Sequence, residues 1–101
     1  MSVQEFIRVK TVEVNGKKLL GIEVMLPDAP PLILLRGDRG FIMCGYLDIS
    51  VAEKLGLVAA KVKGIKTIED LLNKNIDECT SKAKELGIHS GVAVKDVVHL
   101  I

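Results

Sequence analysis

Cys44 is the residue of this sequence whose chemistry could carry a reaction. It lies in the stretch RGDRGFIMCGYLD, residues 36–48, and Gly45 after it would let a substrate approach the backbone closely. A nucleophilic cysteine needs a populated thiolate, which positive charge or a helix N-terminus favours. Arg36 and Arg39 could supply the charge, and a helix predicted to follow could supply the N-terminus. The alternative, which we favour, is that Cys44 packs as a small apolar side chain within a strand.

A thiol enzyme also needs a base, and the sequence contains two histidines. His89 lies in the stretch GIHSG between two predicted helices, from where it could reach another element. We assign it to the enzyme hypothesis with Cys44, although turn histidines more commonly have no chemical role. His99 is interpreted as a solvent-exposed residue of the last helix, and Cys79 as part of a helical apolar stripe in the core.

A second candidate site is the tip between two apolar runs, where an anion could bind. Glycine amides can turn toward a phosphate or carboxylate, and arginines can donate paired hydrogen bonds. The predicted ligand-binding residues are Arg36, Gly37, Asp38, Arg39, Gly40, Gly45 and Asp48. The alternative is a plain hairpin that needs glycine for positive φ and charge for solubility. We favour this alternative, because the spacing matches no phosphate-binding loop.

No metal site and no cofactor are predicted. The two cysteines and two histidines include no pair at the short spacing of a zinc site. With 14 basic and 13 acidic residues the net charge is +1, and only three residues are aromatic. Such a chain has neither the basic field nor the stacking platform of a nucleic-acid-binding protein.

The sequence also predicts the compartment. Glu5 and Arg8 interrupt the apolar character that a signal peptide requires, and no apolar run approaches the length of a membrane span. We therefore expect a cytoplasmic protein without membrane contact. In a reducing cytoplasm both cysteines are expected to be free thiols.

Strand patterns fill the first half of the chain. Residues 3–14 alternate in polarity, and a change of phase near Thr11 predicts a bulge or a bend. The dipeptide Asn-Gly at positions 15 and 16 predicts a type I′ hairpin turn, followed by a strand over residues 17–26. One face of that strand is predicted to carry Leu20, Ile22, Val24 and Leu26. The runs LILLR and FIMCGYL predict a third and a fourth strand at the centre of the sheet.

Helix signals dominate the second half. Ser50 with Glu53 predicts a capping box, in a helix that Gly56 ends, and a short strand follows at LVAAKV. Thr67 with Asp70 repeats the capping pattern.

Two further helices are predicted near the C-terminus. The third helix is predicted over residues 77–86 and ends at Gly87. Ser90 is predicted to cap a last helix, whose apolar stripe is Val94, Val97, Val98 and Ile101.

Strands and helices are thus largely segregated, which predicts a single α+β domain over residues 1–101. Its β-rich part, residues 3–47, is predicted to form a mostly antiparallel four-stranded sheet. The mainly helical part, residues 48–101, contains one further short strand.

Three blocks resemble a known family. They are GFIMCGYLD at residues 40–48, GIKTIEDLL at residues 64–72 and AKELGIHSG at residues 83–91. In this order they are similar to the YunC-like family of small archaeal and bacterial proteins. That family is a domain of unknown function, so the resemblance transfers no catalytic residue. It implies an α+β fold whose N-terminal β region serves in tetramerisation.

Apolar residues on both faces of the first strands agree with that implication, because copies of the chain would cover them for each other. We therefore expect a homo-oligomer, as a tetramer, with residues 3–35 at the interface. Its role is predicted as binding of a small molecule, such as a small anion, or of a protein partner. The alternative is a small enzyme with Cys44 as nucleophile.

Overall fold

The computed structural model describes residues 6–101. These residues form one sheet of six strands whose spatial order is the order of the sequence. The strands are β1 (Ile7–Val14), β2 (Lys17–Val24), β3 (Leu32–Arg36), β4 (Gly40–Met43), β5 (Val58–Lys61) and β6 (Glu78–Cys79). The helices are α1 (Ile49–Lys54), α2 (Ile68–Leu72), α3 (Ser81–Glu85) and α4 (Val94–Val97), and a 3₁₀ turn, Val98–Leu100, follows α4. The predicted α+β class is confirmed, but the sheet has six strands.

The first four strands form an antiparallel meander. Asn15 and Gly16 both have positive φ, 52° and 83°, and Val14 pairs with Lys17, so the predicted two-residue turn is confirmed. Of the bulge or bend predicted near Thr11, the bulge is wrong, because pairing runs unbroken along the whole of β1. The change of phase has another cause, since β1 carries apolar residues on both of its faces. Val3, also assigned to this strand, lies outside the described residues.

One pair of neighbouring strands is parallel. Helix α1 connects β4 to β5, and Ile42 pairs with Ala60 in a parallel ladder. A parallel pair requires such a crossover, because a tight turn can only reverse the chain. The four residues after Met43, predicted as part of the fourth strand, form a turn in which Leu47 N–H donates to the Cys44 carbonyl at 3.1 Å.

The N-cap of helix α1 lies two residues earlier than the predicted capping residue Ser50. The Asp48 carboxylate accepts from the backbone N–H of Ser50 at 3.0 Å and of Val51 at 3.4 Å, so Asp48 is the N-cap. These bonds and the Ser50 hydroxyl hold the pKa of Asp48 below its usual value. Glu53 does not complete a capping box, because it accepts from the N–H of Ser81 at 2.8 Å. The predicted stop at Gly56 is confirmed by its φ of 71°.

The predicted helix over residues 77–86 is wrong in its first half. Glu78 and Cys79 pair with β5, and α3 begins only after its N-cap, Thr80. Cys79 is half-buried in a strand and its thiol donates to the Ile88 carbonyl at 3.4 Å. Burial raises the pKa of that thiol. The backbone of β5 pairs with Glu78 and Cys79. The spacing of apolar residues in the sequence, which suggested a helix, gives no indication of this pairing.

Of the remaining helix predictions, two agree with the structure and one does not. Thr67 caps α2 through the N–H of Asp70 at 3.0 Å, as predicted. The predicted valine stripe with Ile101 is fully buried. Ser90 is not a cap, because its hydroxyl donates to the Asp77 carbonyl at 2.8 Å and α4 follows Ala93.

The two faces of the sheet differ in their covering. Helices α2 and α4 lie on the inner face, over a core that includes Ile33, Leu35, Ile42, Val62, Ile68, Leu71, Val94, Val98 and Ile101. We define the outer face by the side chains of β1–β4 that point the other way: Ile7, Val9, Thr11, Leu20, Ile22, Val24, Leu32, Leu34, Arg36, Phe41 and Met43. None of these residues is buried in the single chain. The predicted apolar face of β2 therefore lies on the outer face, whereas Leu19, Gly21 and Glu23 face the core.

Candidate functional site

A cavity of about 350 Å³ lies at the end of the sheet where β4 and β5 finish. Its walls come from the loop before β3, the turn after β4 and the loop after β5. The lining residues are Pro30, Pro31, Cys44, Gly45, Tyr46, Gly64 and Ile65. Because β4 and β5 are parallel, both of their carboxyl ends meet at this cavity. Crevices outside the carboxyl ends of parallel strands are common ligand sites in open sheets.

Cys44 lies at the floor of this cavity and is only 3% exposed. Its backbone N–H donates to the Ile33 carbonyl at 3.0 Å, and its sulfur accepts from the Ile33 N–H at 3.3 Å. The side chain is thus fixed as part of the core, and the residue also lines the cavity. This placement matches the favoured interpretation of Cys44 as a packed residue, and it leaves access for a compact molecule.

Tyr46 closes one side of the cavity. Its hydroxyl donates to the carbonyl of Pro30 at 2.8 Å, which ties the turn after β4 to the loop before β3. The sequence analysis did not single out this residue. Its position two residues after Cys44 could have pointed to it. It lies opposite Pro30 and Pro31, which cannot extend the strand ladder.

The arginine tip, residues 36–40, lies at the other end of the β3–β4 hairpin. The four residues of β4 span roughly 13 Å at about 3.3 Å each, and they separate Cys44 from the tip. Arg36 and Arg39 therefore do not flank the thiol. Neither they nor Asp38 line the cavity.

The backbone amides of the tip already have an acceptor. The N–H groups of Arg39 and Gly40 donate to the Ile101 carbonyl at 2.5 and 3.2 Å. The Asp38 carboxylate binds the Lys17 ammonium at 2.8 Å, and this contact holds the pKa of Asp38 below its usual value. The tip therefore binds the backbone of Ile101, the residue that follows the 3₁₀ turn.

The glycines of the tip serve close packing. Neither Gly37 nor Gly40 has positive φ, so the predicted conformational reason is wrong. A Cβ on Gly37 would lie 2.4 Å from the Ile101 carbonyl, and a Cβ on Gly40 would lie 2.4 Å from the Val58 oxygen. Side chains at these positions would push the last helix or β5 away.

The other predicted residues are dispersed. Arg36 belongs to the outer face, where it borders a shallow depression with Leu34, Phe41 and Met43. His89 is exposed in the turn after α3 and does not line the cavity beside Cys44. Asp48 caps α1, so Gly45 is the one member of the predicted ligand set that lines this cavity with Cys44.

Glu23 is a buried acid that the sequence analysis did not single out. It is 3% exposed, and its carboxylate accepts from the Ile68 N–H at 2.9 Å at the start of α2. The Lys10 ammonium lies 3.5 Å from the same oxygen, and an Arg8 nitrogen lies 3.9 Å from the other. Glu23 therefore joins the edge of the sheet to the helix layer.

The described part of the chain contains neither a candidate metal site nor a helix that could span a membrane. Within residues 6–101, no three histidine, cysteine or acidic side chains come together in a way that could hold a metal ion. None of the helices in this range has the length and apolar character of a bilayer span.

Comparison with known proteins places the chain in a family. The sequence model of a domain of unknown function, DUF1805, matches residues 43–101. The chain belongs to the DUF1805 family. The matched range includes Cys44 and the two loops that follow β4 and β5, so the DUF1805 region carries most of the cavity.

Two relatives extend the similarity over nearly the whole chain. The uncharacterized protein YunC of Bacillus subtilis (strain 168) is 30% identical over an alignment of 96 residues, and the match covers 91% of this chain and 94% of YunC. The crystal structure of TA1206, a protein of unknown function from Thermoplasma acidophilum, matches with a TM-score of 0.87 and 30% identity. That match covers 92% of this chain and 90% of TA1206. The predicted YunC-like family is thereby confirmed.

Proposed function

We propose that this DUF1805 chain is the subunit of a homo-oligomer and that the assembled protein binds a small molecule beside Cys44. The observation that carries the first half is the outer face. Its side chains form rows across the strands, and one row is Val9, Ile22, Leu34 and Met43. Val9 is 63% exposed in the single chain. Contiguous exposed apolar surface of this kind marks interaction sites.

A second copy is the occupant that fits this surface. Two such faces can pack as the two layers of a β-sandwich, since each already presents aligned apolar rows. A two-fold axis would place the same face on both partners.

The edge of the sheet supports a second contact between copies. Within the described residues, β1 pairs with β2 on one side and has no strand on the other. It is eight residues long and contains no proline, so it can pair with another strand. Two self-complementary surfaces are what a tetramer of dihedral symmetry needs, and we propose this state.

Light scattering tests the assembly. We expect a mass of about four times the 11.0 kDa chain for the unmodified protein. Leu34→Lys, which buries a charge in the proposed sheet-to-sheet contact, should lower the mass by at least half. His99→Lys adds a similar charge at an exposed position of the helix layer and should leave the mass unchanged. A monomeric unmodified protein at micromolar concentration would contradict the proposal.

The cavity supports the second half of the proposal. Its volume of about 350 Å³ lies within the range of roughly 300–1,000 Å³ that small-ligand sites occupy. It also supplies the observation that favours the alternative function, because Cys44 is one of the residues that line it. In that alternative the ligand would be a substrate that Cys44 attacks.

Thiol titration separates binding from catalysis. In a Cys79→Ser variant, Cys44 is the only thiol of the chain. We expect it to react slowly with a disulfide reagent until the protein unfolds, because its sulfur is buried and hydrogen-bonded. Fast reaction near neutral pH would favour the enzyme. The two free cysteines also support our proposal of a cytoplasmic location, where thiols stay reduced.

A further inference from the structure

We infer that the cavity beside Cys44 binds a compact organic anion, whose apolar body lies against the prolines and Ile65 and whose charged group meets Lys63 and Lys74. This inference rests on the proposed small-molecule binding and names the class of the ligand. It is carried by the size of the cavity, its apolar lining and the two lysines that lie beside its glycines.

The walls are apolar, and glycines keep them open. Pro30, Pro31 and Ile65 present carbon surface. A Cβ on Gly45 would meet only the Cγ of Lys63, at 3.6 Å. A Cβ on Gly64 would meet only the Nζ of Lys74, at 4.0 Å. Lysine side chains therefore lie close to two of the glycines that line the cavity.

These two lysines form no ion pair among the described residues. Among the described residues, neither Lys63 nor Lys74 lies within 4.0 Å of a carboxylate, whereas the ion pairs of the chain use other cations. Each lysine carries an apolar stem that can line a cleft and an ammonium that stays at its mouth.

The acidic residues near the mouth are engaged with the backbone. An Asp77 oxygen accepts from the Lys63 N–H at 2.7 Å, and an Asp70 oxygen accepts from the Lys66 N–H at 3.0 Å. They reduce the local positive field but do not occupy the ammonium groups. A ligand with one negative charge beside an apolar body matches this arrangement.

The same walls argue against a sugar or another polyol. Hydroxyl groups of a polyol that lie against the carbon surface of Pro30, Pro31 and Ile65 would lose their bonds to water. An apolar body loses nothing of this kind, and its burial is favourable.

A matched pair of probes tests the charge requirement. Indole-3-acetate carries an aromatic body and one carboxylate, and indole-3-acetamide has nearly the same shape without the charge. We would titrate each into ¹⁵N-labelled protein and follow the backbone amides by NMR. The acetate should shift the amides of Gly45, Tyr46, Gly64 and Ile65, and it should bind about threefold to fivefold more tightly than the amide, as a partly exposed charge contact permits.

Variants assign the contacts. Lys74→Ala should weaken acetate binding about threefold to fivefold and leave amide binding unchanged. Lys84→Ala removes an equally exposed cation from α3 and should change neither affinity. Gly45→Leu should abolish binding of both probes, because the position is exposed, its φ is not positive and the new side chain fills the cavity.

The outcomes separate the two proposals. Equal binding of both probes at the four amides, unaffected by Lys74→Ala, would overturn the inference and leave small-molecule binding in place. Failure of both probes to bind would overturn both. Shifts confined to the outer face would also overturn the inference, since they would report adsorption on that surface. The mass of each variant, measured in the same buffer, shows whether assembly has changed.

Discussion

The inner and outer faces of the sheet are built from the same kinds of side chain, yet only one is covered within the chain. Leu35 of β3 faces the helices and is fully buried, whereas its neighbour Leu34 faces outward and is only half-buried. The outer face is covered only near β5, where Ala59 is buried and α1 packs.

This difference teaches that alternation alone does not identify a core. In β2 the predicted apolar face, which includes Ile22, points outward, and the inner face carries Gly21 and Glu23. Gly21 leaves room for Ile68, whose nearest atom would lie 3.0 Å from a Cβ there. The helices pack on the face where Gly21 leaves room for them, and the more apolar face is not covered by the described residues of the chain.

The largest expected effect on stability comes from replacing Leu35 of the inner face, compared with the same replacement of Leu34 on the outer face. Leu35→Ala should lower the free energy of unfolding by about 3 kcal/mol, because it leaves a cavity in the core. Leu34→Ala should lower it by less than about 1 kcal/mol in dilute protein and should weaken assembly. Urea denaturation at two protein concentrations measures both effects. Equal losses in dilute protein would mean that the two faces do not differ as described.

Substitution of Thr80 tests a buried position beside β5. Its buried hydroxyl donates to the Leu57 carbonyl at 2.7 Å and accepts from the N–H groups of Ala59 at 3.2 Å and Ala83 at 3.3 Å. Thr80→Val should cost about 2–3 kcal/mol, since it leaves these buried groups unpaired. Thr80→Ser keeps the hydroxyl and should cost clearly less. Thermal unfolding compares the two variants, and a harmless valine would show that water reaches this point.

Glu23 is a buried charged residue on the inner face, and its substitution tests how that face is held. Glu23→Ala removes the acceptor for the Ile68 N–H and should cost about 2 kcal/mol. Glu23→Gln keeps an oxygen at the same place and should retain most of the stability. If both variants lose the same amount in urea denaturation, the charge contacts with Lys10 and Arg8 matter more than the helix contact.

The smallest effect is expected at the exposed pair of Lys17 and Asp38. The pKa of Asp38 is lowered in the folded chain, so this group contributes stability above its unfolded pKa and loses it as pH falls through the folded value. Because the carboxylate is exposed, Lys17→Met should raise the Asp38 pKa in an NMR titration without a resolvable change in melting temperature. A large fall in melting temperature would show that the tip contributes more than its exposure indicates.

Local signals predicted the parts of the fold that depend on neighbours in sequence. The Asn15-Gly16 turn, the Thr67 cap and the apolar stripe of Val94 and Val98 are of this kind. The segment before Thr80 could not be assigned locally, because Glu78 becomes a strand only beside β5. The parallel pair was open to prediction, since a strand, a helix and a strand in succession commonly form a parallel unit.

The candidate site was predictable only in part. Cys44 and Gly45 were named and line the cavity together, because they are adjacent in sequence. The tip around Arg39 was grouped with them, but the hairpin places it a strand length away. Lys74 was not named, since its approach to Gly64 depends on how the loop after α2 returns to the sheet.

Each strand of this sheet lies beside the strand that precedes it in the chain. No strand has to wait for a partner that is synthesised much later, and loop closure is short at almost every step. We therefore expect the sheet to grow in the direction of translation, with the hairpins already paired when the last helix leaves the ribosome.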